Sequence, residues 1–238
     1  MVTITQFYRN HAVRNRRVLA VALTAWLGAA ALAPAFQNQH PLSGRRIAPV
    51  MGASGADWLD RHERESEEHP DAALDALGIK PGMVVADVGA GTGYMTLRLA
   101  KLVGPSGKVY AEDVQQEMLR RLRQSAAEAG LANIEGVLGA EADPKLPAGK
   151  LDLILLVDVY HEFSQPQAMA RKMREALKPD GRLVLLEYRK EDPNIPIRPE
   201  HKMSVAEVKM ELEPEGFRMD QVIETLPRQH ILILKKRD

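Results

Sequence analysis

Met83-Val84-Val85-Ala86-Asp87-Val88-Gly89-Ala90-Gly91-Thr92-Gly93-Tyr94 is the stretch on which the fold turns. A nearly continuous apolar run ends in three glycines at alternate positions. Such a run suits a strand of a parallel sheet that is covered on both faces. Glycines at its end let the chain turn sharply and let a ligand approach the backbone closely. The helix that follows offers that ligand free N–H groups and the positive end of its dipole. A dinucleotide fold seats a diphosphate on G-x-G-x-x-G. Here the spacing is G-x-G-x-G, and Asp87 stands two residues before the first glycine. A carboxylate at that point suits a cationic ligand better than a diphosphate.

Outward from this loop the pattern is regular. Thr92 to Val103 reads as a helix, broken by Gly104-Pro105-Ser106-Gly107, and Lys108 to Ala111 as a second strand. That strand runs into Glu112-Asp113, about 20 residues beyond the loop, where doubly wound folds place a carboxylate on ribose hydroxyls. A helix from Gln115 to Ala129 stops at Gly130, and strands follow at Ile134 to Leu138 and Leu151 to Val157. Gln165 to Leu177 reads as a helix, turned by Pro179-Asp180-Gly181 into a strand at Leu183 to Leu186. Upstream, Leu74 and Leu77 mark a short helix stopped by Gly78. Strands alternating with helices predict an α/β, Rossmann-like doubly wound sheet. After Glu187 the rhythm changes to a loop with Pro193, Pro196 and Pro199, then a helix from Ser204 to Leu212. The last two strands, near Phe217 to Thr225 and His230 to Leu234, are separated only by Leu226-Pro227-Arg228-Gln229. That link is too short for a parallel crossover, so these strands must pair antiparallel.

Asp87 to Tyr94 resembles motif I of the class I S-adenosylmethionine-dependent methyltransferases, and Val109-Tyr110-Ala111-Glu112-Asp113 resembles their motif II. Leu177-Lys178-Pro179-Asp180-Gly181-Arg182-Leu183 is similar to the turn before their fifth strand. The resemblance runs from about Pro70 to Lys236, nearest to the ubiquinone/menaquinone biosynthesis and small-molecule group. It implies a seven-stranded sheet in the order 3-2-1-4-5-7-6 with strand 7 antiparallel, and S-adenosylmethionine as cofactor. It also implies backbone contacts to the methionine part from Gly89, Ala90, Gly91 and Gly93, with Asp87 near the amino group. Asp113 would hold the ribose hydroxyls, and Met118 would flank the adenine. The family often has Gly-Asp after strand three. This chain has Gly139-Ala140-Glu141-Ala142-Asp143, so the acid has moved, with Glu141 the choice for the adenine amine and Asp143 the fallback.

Ligands of open α/β sheets bind beyond the carboxyl ends of the strands, where Asp158-Val159-Tyr160-His161-Glu162-Phe163 lies. His161 can act as a general base toward a hydroxyl or amine acceptor, with Tyr160 beside it. The alternative is that both only contact cofactor or cap the next helix. Asp158 would bind cofactor or pair with an arginine. Glu187-Tyr188-Arg189 ends at the same edge, and the Pro-rich loop after it carries Arg198 and His201. That loop is placed either as a lid over acceptor or as a surface connection, and His201 reads as part of a surface connection. No metal site is expected: His62 and His69, seven apart in a charged segment, lack convincing ligand spacing.

The 238 residues, 45% hydrophobic, suit one domain plus extra sequence. Lys+Arg and Asp+Glu both number 32, which argues against nucleic acid as a partner, and no cysteine is present for thiol chemistry. Arg14, Arg16 and Arg17 precede an apolar run from Val18 to Ala33, and Ala33-Pro34-Ala35 follows the small-x-small rule. Residues 1–35 therefore read as a signal peptide or an N-terminal anchor, which implies an exported or periplasmic protein, or one associated with a membrane through this segment. A start at Met51 would instead make it cytoplasmic. Residues 36–69 read as a polar linker and a charged arm, whose Asp57 to Glu68 run suggests a solvated helix face. A flap built on Trp58, Arg61 and Arg64 is the alternative. Residues 70–238 are the expected methyltransferase domain. The function expected is transfer of a methyl group from S-adenosylmethionine to a small acceptor, hydrophobic ones included. The alternatives are a non-catalytic S-adenosylmethionine-binding module and an NAD-dependent oxidoreductase.

Overall fold

The apolar strand before the glycines lies inside the sheet, with a parallel neighbour on each side, in the computed structural model, which describes residues 38–237. Short helices α1 (Ala56–Leu59), α2 (Glu63–Glu68) and α3 (Pro70–Leu77) lead into β1 (Val84–Val88) and α4 (Tyr94–Val103). Then come β2 (Lys108–Asp113), α5 (Gln116–Glu128), β3 (Ile134–Leu138) and β4 (Leu151–Val157). The chain continues through α6 (Pro166–Ala176), β5 (Leu177–Arg189), β6 (Lys202–Met203), α7 (Val205–Leu212), β7 (Phe217–Ile223) and β8 (Gln229–Lys236). The main sheet has the order β3-β2-β1-β4-β5-β8-β7, parallel as far as β5. β8 runs antiparallel to both β5 and β7. This is the expected order, shifted in number by one additional strand: β6, two residues long, pairs with Tyr188 and Arg189 of β5.

Alternation along the strands explains why their sequences are apolar throughout. Ile154 and Leu156 of β4, Leu183 and Leu185 of β5, and Leu232 and Leu234 of β8 enter one core, closed by Met169 and Met173 of α6 and Val208 and Leu212 of α7. Leu153 and Leu155, Val184 and Leu186, and Ile231 and Ile233 enter the other, closed by Leu74 and Leu77 of α3 and Leu99 and Val103 of α4. Side chains with period two on a doubly covered sheet have no polar side to show.

The strand expected at Leu183 to Leu186 is longer, Leu177–Arg189, because Pro179-Asp180-Gly181 bulges out of a ladder that resumes on both sides. The expected loose linker is docked. His40, Arg45 and Ala48 are buried, and Arg45 Nε and Nη2 donate to Glu211 at 2.8 and 3.1 Å. His40 and Ser43 converge on the same carboxylate, which has no exposed surface. From His40 onward the chain is one compact unit, so the arm packs with the domain. The signal or anchor expected at residues 1–35 lies outside the described residues. Among the described residues no helix is long and apolar enough to cross a membrane.

Removing one partner of a buried ion pair leaves the other charge uncompensated, at a cost of about 3–5 kcal/mol. Glu211→Ala should therefore lower the urea unfolding free energy by about that amount, whereas replacing Arg45 and Glu211 together by methionine should cost less. Equal losses would show that the pair does not hold the arm.

Candidate active site

Gly89, Gly91 and Gly93 all take positive φ (73°, 55° and 99°), which glycine alone adopts readily and which wraps the loop back over β2. The amides of Gly89 and Ala90 donate to the Glu112 carbonyl at 2.9 and 2.8 Å, and Gly91 N donates to Asp113 Oδ2 at 3.0 Å. A Cβ at Gly89 would stand 2.5 Å from Val159, so the loop can only lie this close to the β4 end without a side chain.

Beyond the loop opens a cavity of about 420 Å³. Asp87, Gly89, Ala90, Gly91, Asp113, Met118, Glu141, Asp158 and His161 all line it. Two of the expected site residues do not. Gly93 packs against α5, where a Cβ would meet Leu122 at 3.0 Å. Tyr160 is turned into the core, its ring 5.5 Å from the Arg45 guanidinium and edge-on to Phe163. Burial holds its phenol well above the ordinary range, so it has neither the access nor the acidity for a catalytic role. Asp143 is also absent from the lining, whereas Glu141 reaches it and accepts from Ser164 Oγ at 3.0 Å.

The electrostatics are strongly one-sided. Six carboxyl groups line the cavity, against the guanidiniums of Arg64 and Arg198. Desolvation raises Asp87 to about 6, with Thr96 Oγ1 donating to it at 2.6 Å as a partial offset. Burial, then the charge of Asp113, raises Glu112 to about 8; burial lifts Glu162 to about 7 and Asp158 well above its ordinary value. Glu112 Oε1 and Asp158 Oδ1 are buried without a hydrogen-bond partner among the described residues. A cation with hydrogen-bond donors would satisfy these oxygens and draw the carboxyls back to their charged forms. A diphosphate would be repelled, so nothing here favours a nicotinamide dinucleotide. Glu112 is one of two lining acids, with Glu162, that the sequence did not single out. Its clearest signal is Gly139, where a Cβ would stand 1.7 Å from Glu112 Oε1.

The charged arm turns one side to solvent, where Asp57, His62, Glu63, Glu65 and Ser66 are exposed, and the other to the cavity. Trp58, Leu59 and Arg64 line the cavity, and Arg64 is held by Glu68 at 2.8 Å. Thr92 Oγ1 donates to Asp60 at 2.7 Å, tying the arm to the glycine loop. Trp58 stands at the surface under the Arg61 guanidinium, 3.7 Å from its ring centroid; of the three residues named for a flap, Trp58 and Arg64 line the cavity and Arg61 does not.

Opposite the glycine loop, His161 Nδ1 lies 2.6 Å from Glu187 Oε2 and its Nε2 lies 3.2 Å from His201 Nδ1. Burial works against charge on His161, but the attraction and hydrogen bond of Glu187 outweigh it and raise the imidazole. Burial, then the neighbouring His161 and Arg198, lowers His201. His201 is thus not on a surface connection. β6 anchors the loop beside β5, Lys202 Nζ donates to the Ile195 carbonyl at 2.7 Å, and Pro196, Ile197 and Arg198 cover the cavity.

A family model described as a methyltransferase domain matches residues 79–226. The chain belongs to this methyltransferase family. It is 33% identical over 140 residues to nocamycin O-methyltransferase of Saccharothrix syringae, covering 59% of this chain and 48% of that protein. It is 36% identical over 126 residues to a ubiquinone/menaquinone biosynthesis C-methyltransferase of Hahella chejuensis, covering 52% and 49%. The chain thus spans about half the length of these curated relatives. The solved structure of a SAM-dependent methyltransferase from Aquifex aeolicus superposes with a TM-score of 0.73 at 32% identity, covering 78% of this chain and 98% of that one. S-adenosylmethionine is the cofactor this family and fold imply, and the anionic cavity with its unpartnered oxygens fits such a cation.

Asp87 gains a proton as the pH falls through about 6, and with it loses its attraction for an ammonium group. S-adenosylhomocysteine affinity, measured by calorimetry, should weaken as the pH falls through about 6, over and above the changes that Glu112 near 8 and Glu162 near 7 bring at higher pH. Asp87→Asn should weaken binding at pH 8 and remove that dependence. In the protein alone the sign is opposite: the folded state holds this proton more tightly, so the contribution of Asp87 to stability is present at low pH and lost as pH rises through about 6.

Proposed function

We propose that this chain transfers a methyl group from S-adenosylmethionine to a hydroxyl of a small, largely apolar acceptor. The observation that carries the reading is the Glu187–His161 pair, whose imidazole lines the same cavity as the glycine loop. S-adenosylmethionine, held by the glycine loop with Asp87 and Asp113, would supply a methyl group on a sulfonium for in-line transfer to the acceptor oxygen, with a neutral thioether as the leaving group. The protein's part is to bind, orient and accept a proton.

The carboxyl groups of Asp87, Glu112 and Asp113 gather on the loop side, where the cationic ligand belongs. His161 stands beyond them, its ring oriented by Glu187, so that a proton leaving the acceptor hydroxyl can be taken up at Nε2. His201 lies next to that nitrogen on the Pro-rich loop, with the Arg198 guanidinium beside it. Val50, Trp58 and Phe163 give the entrance an apolar lining, which suits a hydrophobic acceptor. The nocamycin relative, an O-methyltransferase by name, supports oxygen as the atom methylated.

The full chain, incubated with S-adenosylmethionine and a panel of phenols, quinols and amines, should release S-adenosylhomocysteine with hydroxyl acceptors. His161→Ala should lower kcat by about 10²–10⁴-fold with little change in S-adenosylhomocysteine affinity. Normal cofactor binding with no turnover on any acceptor would favour the binding-module alternative. Turnover unaffected by His161→Ala would overturn the role given to His161.

A further inference from the structure

His161 and Glu162 follow β4, while His201 arrives forty residues later on the Pro-rich loop, yet all three line one part of the cavity. One ligand atom from each lies within 4.8 Å of the other two. We propose that His161 Nε2, His201 Nδ1 and a Glu162 carboxylate oxygen hold a divalent transition-metal ion such as Zn²⁺. Calling this the acceptor end of the cavity rests on the function proposed above; the metal site itself does not.

Four features of this cluster support the assignment. The two ring nitrogens stand 3.2 Å apart with ring planes at 79°. Two imidazole nitrogens on one tetrahedral Zn²⁺, each at about 2.0–2.1 Å, stand about 3.3 Å apart, so both rings could share an ion almost as they lie. Glu187 takes the Nδ1 proton of His161, which leaves the Nε2 lone pair facing the cluster. A carboxylate behind a histidine is the usual second layer of a metal site, fixing tautomer and ring angle. Glu187 adds negative charge behind it, and the mixed nitrogen and oxygen donors suit Zn²⁺, Fe²⁺ or Mn²⁺ better than Ca²⁺.

The proton count is simple. A guanidinium only donates, so Arg198 Nη2, 3.0 Å from His201 Nε2, leaves the ring proton on Nδ1, where it bridges to His161. An ion takes the place of that bridging proton. His201 then carries its proton on Nε2 instead and the exposed Arg198 side chain moves off, so the two imidazoles release no proton, and Glu162 gives up any proton its carboxyl carries. Three protein ligands leave at least one position for a water or for the oxygen of an acceptor hydroxyl, whose proton the metal makes acidic enough to pass to solvent; with the ion bound, His161 Nε2 is a ligand and the metal replaces it as the means of deprotonation. The substrate class this favours is an acceptor with a phenolic or similar metal-binding hydroxyl.

The tag-free full chain, stripped with chelator, is titrated with Zn²⁺ by calorimetry and with Co²⁺ by visible absorption, and S-adenosylhomocysteine affinity is measured separately on the same samples. The wild type should take up one equivalent. His201→Ala and Glu162→Gln should each weaken binding at least about tenfold, and Glu187→Gln about 10–100-fold, all with S-adenosylhomocysteine affinity preserved. Arg198→Met, which removes the competing donor, should tighten it. A wild type that binds S-adenosylhomocysteine but shows no saturable metal uptake would overturn the site, as would undiminished uptake by His201→Ala. Metal uptake without any S-adenosylhomocysteine binding would overturn the methyl-transfer reading and leave the metal site standing.

Discussion

A carboxylate with no exposed surface, Glu187 at the end of β5, organises the half of the cavity opposite the glycine loop. A buried charge must be paired or it destabilises the fold, and Glu187 takes its partners from the turn after β4. Its Oε1 accepts from the backbone amide of Tyr160 at 3.0 Å, and its Oε2 meets His161 Nδ1. These two contacts set the turn: Asp158 is driven to a positive φ of 53°, Tyr160 goes inward to the core, and His161 goes outward to the cavity. The position of the one imidazole and the removal of the neighbouring phenol have the same cause.

The N-terminal arm is the second constraint. Arg45 donates to the His161 carbonyl at 2.9 Å while its Nε holds Glu211, so the arm grips the same turn from behind. Farther along, Gln115 Nε2 donates to the Met51 carbonyl at 2.9 Å, and Asp60 and Arg64 reach the glycine loop and Glu68. The cavity is therefore walled on one side by sequence that lies ahead of the family match at residue 79. That placement explains how a charged run can serve a site: its acids and bases neutralise each other and leave Trp58 and Leu59 facing the ligand space.

The central sheet was legible because its signal is local. Apolar runs with both faces covered, glycines at a strand end and a four-residue link between the last strands each constrain the backbone over short distances. Most of the residues placed around the glycine loop line the cavity for the same reason, since strand ends and the loops after them move together. Gly93 was misplaced because sequence shows that a glycine is needed and not which neighbour needs it: here it is Leu122 of α5. Glu112 was passed over because it precedes the acid at the expected spacing, and its burial and the close approach of Gly139 show that its carboxyl is held inside.

What the sequence determined by itself is the sheet, its antiparallel finish and a ligand loop suited to a cation, because those depend on residues near one another in the chain. Tertiary structure alone decided the far wall. Tyr160 and His161 are adjacent and equally placed by pattern, and a single buried carboxylate from another strand sends them to opposite sides. His201 has no nearby partner in sequence, and it meets His161 because β6 fastens its loop to β5. The spacing of His62 and His69 could be weighed on the page, but the cluster of His161, Glu162 and His201 exists only when two loops forty residues apart are folded over one strand end.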